Sequence, residues 1–122
     1  MPVHPEAMRA YRRTALARLQ SERRQLRERC SRAWDLARQA AQLLRERYGV
    51  PRVVVFGSLV HPGRFTAHSD IDIAAWGLTD ANWLGATGAV RNLADDIDLN
   101  LVDVTCCTPE LLSAIEREGV DL

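Results

Sequence analysis

Two short stretches in the middle of the chain decide its fold class: Val53-Val54-Val55-Phe56-Gly57-Ser58 and Ser69-Asp70-Ile71-Asp72-Ile73. The first predicts a buried strand that ends in a Gly-Ser turn, and the second predicts a strand in which carboxylates alternate with apolar side chains. A glycine directly after a strand lets backbone N–H groups approach a phosphate closely, and the serine hydroxyl adds a donor. The first stretch therefore predicts a phosphate-binding turn, although a Gly-Ser pair after a strand is by itself common.

The Asp-x-Asp pair in the second stretch is a candidate metal site. Carboxylates at positions i and i+2 of a strand project from the same face, where they repel each other unless a cation lies between them. Mg²⁺ favours one or two carboxylates together with substrate phosphates. Taken alone, the pair is also compatible with a solvated edge strand.

Upstream of both stretches, the sequence predicts one long helix or two shorter ones. Apolar or small residues recur every three or four positions, which predicts helix over residues 6–48. Pro5 suits the start of this helix and Gly49 its end. The alternative is a break at Ser31, which could cap a second helix.

Downstream, the pattern predicts a helix, a strand and a second helix. The helix covers residues 81–94 with Asp80 as its N-cap, and the strand covers residues 97–104. Thr108 caps the last helix, which ends at Gly119. The order of elements predicts an α/β (α+β) domain with a small sheet.

Length and composition fit one globular domain. The chain has 122 residues, of which 47% are hydrophobic and 26% charged, and this excludes a disordered chain, a collagen-like fibre and a disulfide scaffold. The longest apolar runs are too short to cross a bilayer, and the N-terminus has no apolar core of a signal peptide. We therefore expect a cytoplasmic protein with no membrane partner.

The formal net charge of zero conceals a strong asymmetry. Residues 1–52 hold 13 arginines and 5 acids, a balance of +8, whereas residues 53–122 hold 3 arginines and 11 acids, a balance of −8. We expect an Arg-rich helical arm over residues 1–31 and a domain over residues 32–122. The arm could form a homo-oligomer or dock on another protein, and nucleic acid is the less favoured partner because few aromatic residues are available for stacking on bases.

Together, the segments 54–59 and 65–74, separated by eleven residues between Ser58 and Asp70, resemble the minimal nucleotidyltransferase (MNT) branch of the polymerase-β-like nucleotidyltransferase superfamily. The resemblance continues at residues 100–103 and 109–120, and thus covers roughly residues 32–122. It implies a small mixed palm sheet flanked by helices and preceded here by the long N-terminal helix.

The resemblance also implies roles for individual residues. Gly57 and Ser58 match the positions that hold the triphosphate of ATP. Asp70 and Asp72 match the catalytic carboxylates that bind Mg²⁺ bridging the phosphates. Arg64, on the loop between the two motif halves, is a candidate cation beside the triphosphate, or it pairs with an acid.

The third carboxylate of the family, a metal ligand and general base, has no clear counterpart in this sequence. Asn100 occupies its aligned position, and an amide cannot act as a base. Asp98 lies two residues earlier on the same strand face and is the favoured replacement, although it is displaced by about 6.6 Å along the strand. Asp103 has the opposite parity and should point elsewhere.

Family members of this size resemble the antitoxins of HEPN/MNT toxin–antitoxin modules. The resemblance implies transfer of AMP from ATP to a hydroxyl, for which tyrosine is favoured, of a HEPN ribonuclease toxin. The alternative is a catalytically weakened antitoxin or scaffold that neutralises its partner by binding alone, and Asn100 is the feature that favours this alternative.

Overall fold

The computed structural model describes residues 4–122, and it contains three α-helices and one four-stranded mixed sheet in this part of the chain. The predicted α/β class with a small mixed sheet and a long leading helix is confirmed. The elements, in chain order, are α1 (Pro5–Tyr48), β1 (Arg52–Phe56), β2 (Ile71–Trp76), α2 (Asp80–Arg91), β3 (Leu99–Asp103), α3 (Pro109–Glu118) and β4 (Val120–Asp121).

Helix α1 is one continuous element of 44 residues, so the alternative of a break at Ser31 is wrong. His4 accepts a hydrogen bond from the Glu6 N–H, and Pro5 occupies the first turn, where its missing N–H costs nothing. Gly49 ends the helix in the left-handed conformation at φ 64°, which glycine adopts without strain. At 1.5 Å per residue, α1 is about 66 Å long, which exceeds the diameter of a small domain.

The sheet has the strand order β3-β2-β1-β4. Strand β1 pairs antiparallel with β2 on one side and with β4 on the other, whereas β2 and β3 run parallel. The short strand β4 was not expected from the sequence, because two residues carry no readable periodicity. The parallel pairing of β2 with β3 matters most for function, since it places the starts of both strands side by side.

Both faces of the sheet are covered by helices. On one face, alternate residues of β1 and β2 pack with the C-terminal half of α1 and with α2 in the main core. On the other face, Val54, Ala74, Val104 and Ile115 form a smaller cluster beneath α3. Strand β1 is buried on both sides, and for this reason its successive residues are apolar.

Two boundaries differ from those that the sequence predicted. Thr79, not Asp80, is the N-cap of α2, and its hydroxyl accepts from the Asn82 N–H at 3.2 Å. Strand β3 covers Leu99–Asp103, shorter than the expected 97–104. Thr108 caps α3 as predicted. None of the helices in residues 4–122 combines the length and the apolar composition that a membrane crossing requires.

The first part of α1 stands away from the sheet. Side chains from residue 4 to residue 20 are exposed, whereas Ala33, Leu36 and Ala37 are buried. Contacts with the rest of the domain already begin at Arg29 and Cys30, within the arm expected over residues 1–31. The first three residues of that arm lie outside the described part of the chain.

Candidate active site

Asp70, Asp72 and Asn100 meet at one edge of the sheet, where β2 and β3 begin. Asp70 immediately precedes β2, and Asp72 is its second residue. In the parallel pairing, Asp72 lies directly beside Asn100, which is the second residue of β3. All three side chains lie near the same end of two adjacent strands because the register of that pairing is in phase.

Asn100 bridges the two carboxylates. Its Nδ2 donates to Asp70 Oδ2 and to Asp72 Oδ1, each at 3.3 Å. One amide group therefore contacts both acids that the sequence predicted to hold a metal ion. This contact also places Asn100, not Asp98, at the centre of the site.

The carboxylate of Asp72 is destabilised in its charged form. Partial burial raises its pKa above the ordinary value of 3.8, and the nearby Asp70 raises it further, while the hydrogen bond from Asn100 lowers it. Asp70 itself is exposed, whereas Asp72 is half-buried between β1 and β3. The pair has the electrostatics of a cation site, since a positive charge between the two groups would remove the repulsion.

Gly57 brings backbone next to this pair. It follows β1 directly and has φ 79°, and a Cβ at this position would lie 2.6 Å from Asp72 Oδ2. Glycine is thus required both for the backbone conformation and for the space beside the carboxylate. Ser58 comes next, in a 3-10 turn over Gly57–Val60, and it is only partly exposed. The structure brings the Gly-Ser turn and the Asp pair together, as the phosphate-site prediction requires.

Arg29 of α1 fixes the loop that leads into Asp70, a role that the sequence did not reveal. Its guanidinium donates to three backbone carbonyls: Thr66 at 3.2 Å, Ser69 at 3.1 Å and Asp96 at 3.3 Å. It also lies 5.7 Å from the centre of the Phe65 ring. The partners are backbone atoms at sequence separations of 37 to 67 residues, so no local pattern could have indicated them.

Arg32 adds an ion pair one turn further along α1. Its guanidinium bonds both carboxylate oxygens of Asp96, at 2.6 and 2.8 Å. The hydrogen bond from Arg32 lowers the pKa of Asp96 to about 2. Arg29 and Arg32 together tie α1 to both loops that precede β2 and β3, the strands that carry the site.

The remaining predicted site residues lie around this centre. Asp98 is exposed, and its backbone carbonyl accepts from the Ile71 N–H at 2.9 Å; its side chain lines a small cavity of about 210 Å³ with Arg91 and Asn100. Arg64 is exposed on the loop, and no ion pair involves it among residues 4–122. The roles of Asp98 as base and Arg64 as a triphosphate contact stay predictions.

The donor set suits a hard divalent cation that is shared with a substrate. Within residues 4–122 there is no group of three or more His, Cys, Asp or Glu side chains placed to hold a metal ion. Two carboxylates, Asp70 and Asp72, are however sufficient for Mg²⁺ when phosphate oxygens and water complete the octahedron. The residues present thus fit Mg²⁺ bound together with a phosphate compound rather than a metal site made by protein alone.

This combination of a palm-like sheet, a Gly-Ser turn and paired carboxylates defines a nucleotidyltransferase-like fold. No family model matches the chain, and no curated protein does. Among solved structures, a chain of a mutant of the toxin–antitoxin complex MntA–HepT is 26% identical, with a TM-score of 0.57, over 70% of this chain and 69% of that one.

Two further structures show the same fold. A chain of the MntA–HepT complex is 21% identical, with a TM-score of 0.53, over 70% of this chain and 68% of that one. A chain from the complex of tri-AMPylated Shewanella oneidensis HEPN toxin with MNT antitoxin is 21% identical, with a TM-score of 0.53, over 73% and 70%. The chain is thus similar to MNT antitoxins, and the resemblance seen in its sequence is confirmed.

Proposed function

We propose that the chain is an MNT-type antitoxin that transfers AMP from ATP, with Mg²⁺, to a hydroxyl of a HEPN ribonuclease toxin, with tyrosine as the favoured acceptor. The observation that carries this proposal is the placement of Gly57 and its following turn against the Asp70–Asp72 pair. A phosphate-binding turn and a cation site within contact of each other are what a metal-bound triphosphate requires.

Each residue of the site has a distinct task in this proposal. Gly57 and Ser58 would bind the triphosphate through backbone N–H groups and a hydroxyl. Asp70 and Asp72 would hold Mg²⁺, which when bound neutralises phosphate charge. Arg64 would add a positive charge beside the phosphates if its exposed side chain turns toward the site.

The reaction is a displacement at the α-phosphorus of ATP. A bond forms between the acceptor oxygen and the α-phosphorus. The bond between this phosphorus and the oxygen that bridges the α- and β-phosphates breaks, and pyrophosphate leaves. The acceptor hydroxyl must also lose a proton. Asp98 is the candidate base; where it does not reach the acceptor, the proton would leave to water and transfer would be slower.

The partner is proposed from the likeness to solved structures. The chains with this fold come from toxin–antitoxin complexes, and in one of these the HEPN toxin carries three AMP groups. A toxin modified with AMP is the product that the proposed reaction would give. The likeness therefore supports both the antitoxin role and the class of partner.

A second candidate function is neutralisation by binding alone, and Asn100 is the observation that favours it. Asn100 fills the place beside Asp72 with a hydrogen-bond donor rather than with a third carboxylate. A site of this kind could still bind a nucleotide while transferring it slowly or not at all. The two candidates share the partner and differ in whether AMP is transferred.

Calorimetric titration with ATP tests the site independently of the partner. We expect binding that strengthens when Mg²⁺ is added, and the double variant Asp70→Asn with Asp72→Asn should lose this metal dependence. Asp95→Asn, which removes an exposed carboxylate outside the site, is the matched control. Metal-independent binding by the wild-type chain would contradict the assigned metal site.

Transfer is tested with α-labelled ATP and a HEPN protein from the organism that encodes this chain. Label on the toxin that disappears with the Asp70→Asn, Asp72→Asn variant supports the enzyme. A stable complex without any label supports neutralisation by binding alone. The absence of both a complex and label would refute the antitoxin role.

A further inference from the structure

Within the Arg-rich arm, the largely exposed residues 5–28 of α1 carry one face that is apolar in the middle and positive at both ends. Arg12, Leu16, Leu19 and Arg23 follow one another at spacings of four, three and four residues, and so lie within about 60° of arc. Leu16 is 56% exposed and Leu19 is 42% exposed, in the interior of a helix and not at a frayed end.

The sheet edge formed by β3 carries a groove with the opposite character. The groove has a volume of about 680 Å³ and lies between α2, β3 and α3; apolar side chains dominate its lining, among them Trp83, Leu84, Leu101 and Leu111. Leu84 is 82% exposed. The charged residues that line the groove in the described chain, Asp80 and Asp103, are both acidic.

The arm cannot reach the groove of its own molecule. Helix α1 is continuous from Pro5 to Tyr48, and its second half is buried in the core beneath the opposite face of the sheet from α3. A helix without a glycine or proline in its interior does not fold back on itself. A contact between the arm and this groove therefore requires a second molecule.

We propose that the arm of one copy docks in the groove of a second copy, with the reciprocal contact completing a two-fold dimer. The leucines of the arm would bury against the apolar lining, while Arg12 and Arg23 would approach the acidic rim. The charges of the two surfaces support this occupant, because residues 5–28 carry a balance of +4 whereas the charged residues lining the groove, Asp80 and Asp103, are acidic.

Pairing of two arms with each other is the less favourable arrangement. Residues 5–28 contain seven arginines and three glutamates, so an arm–arm contact would bring two positive helices together. The proposed contact instead pairs each arm with an acidic surface. It is independent of AMP transfer, since it uses none of the residues assigned to ATP or Mg²⁺.

Sedimentation velocity over a range of concentrations tests this dimer. The wild-type chain should dimerise. The double variant Leu16→Glu, Leu19→Glu in the arm should raise the Kd of the dimer by about 100-fold or more, because two leucines can no longer be buried. Leu84→Glu in the groove should have a similar effect. All three positions are exposed, so the variants should keep the circular dichroism spectrum of the folded chain.

Two matched variants serve as controls. Ala17→Glu places the same charge on the opposite side of the arm, and Val120→Glu places it at the opposite edge of the sheet, on β4. Both should remain dimeric. A dimer that Ala17→Glu breaks as strongly as the double leucine variant would refute the assigned arm face.

Mixing gives the sharpest test. The Leu16→Glu, Leu19→Glu variant retains an intact groove, and the Leu84→Glu variant retains an intact arm. A mixture of the two should therefore form heterodimers through one arm–groove contact, although each variant alone is monomeric. A wild-type monomer at all concentrations would overturn the proposal. So would a Leu84→Glu chain that dimerises like wild type, or a mixture that stays monomeric.

Discussion

Replacing Asn100 by Asp tests the geometry of the site directly. In the structure, the Asn100 amide donates to Asp70 and to Asp72 at 3.3 Å each, and the substitution turns this donor into a third carboxylate. Two unit charges 4 Å apart near a protein surface repel by about 4 kcal/mol, and exposure of Asp70 and protonation of one group reduce this value. With the loss of two long hydrogen bonds, we expect metal-free Asn100→Asp to lose about 2–4 kcal/mol of stability.

This loss corresponds to a decrease of about 8–16 °C in the thermal midpoint for a domain of this size. The measurement is thermal unfolding in chelator and again in Mg²⁺. A third carboxylate should bind the cation more tightly, so Mg²⁺ should raise the midpoint of Asn100→Asp much more than that of wild type.

Asn100→Leu is the matched control, because it removes both hydrogen bonds without adding charge. It should cost about 1 kcal/mol, and Mg²⁺ should not restore this loss. If Asn100→Asp is no less stable than Asn100→Leu and gains no response to Mg²⁺, the side chain does not lie between the two carboxylates and the site is wrongly assembled.

Four further predictions concern the surroundings of the carboxylate pair. Gly57→Ala should lose about 2–3 kcal/mol in chemical denaturation and weaken Mg²⁺-dependent ATP binding, because it strains a φ of 79° and presses Cβ against Asp72. Gly63→Ala, at φ 82° with open space around it, should lose only about 1 kcal/mol; equal losses would exclude the contact with Asp72. Asp72→Asn should stabilise the metal-free protein at neutral pH. The raised pKa of Asp72 means that its contribution to stability is present below pH 3.8 and is lost as pH rises through the folded-state pKa, so the gain should vanish in acid, and a gain that is the same at all pH values would contradict this. Arg29→Met removes three hydrogen bonds to backbone carbonyls and should cost about 2–3 kcal/mol in urea unfolding, whereas a near-neutral effect would show that these bonds do not hold the loop. Asp98→Asn should slow AMP transfer by about 100-fold or more with little change in the thermal midpoint, since the side chain is exposed, and undiminished transfer would exclude Asp98 as the base.

The elements that the sequence predicted well are those with a strong local signal. Strands β1 and β2 start and end where their apolar and alternating patterns do, and Thr108 and Gly119 bound α3 as expected. The long helix was predicted as well, but its continuity through Ser31 was not, since a serine in a helix interior and a serine at an N-cap look alike in sequence. Strand β4 was not predicted, because its two residues form a strand only through pairing with β1.

The candidate site shows the same division. Gly57, Ser58, Asp70 and Asp72 could be identified because adjacent residues on a strand and its following turn have fixed relative directions. Whether Asp98 or Asn100 stands beside them could not, since two positions on the same strand face differ only in register with the neighbouring strand.

By itself, the sequence determined the α/β class, the Gly-Ser turn, the carboxylate pair and the opposite charges of the two halves, because each of these depends on residues close together along the chain. Only the tertiary structure decided that Asn100 bridges the carboxylates, that Arg29 holds the loop before them, and that the arm stands clear of the groove on β3. These three features depend on strand register and on contacts between segments tens of residues apart. The net charge of zero also needs the structure for its interpretation. The sequence gives the balances of +8 and −8 for the two halves, but only the structure shows on which surfaces these charges lie.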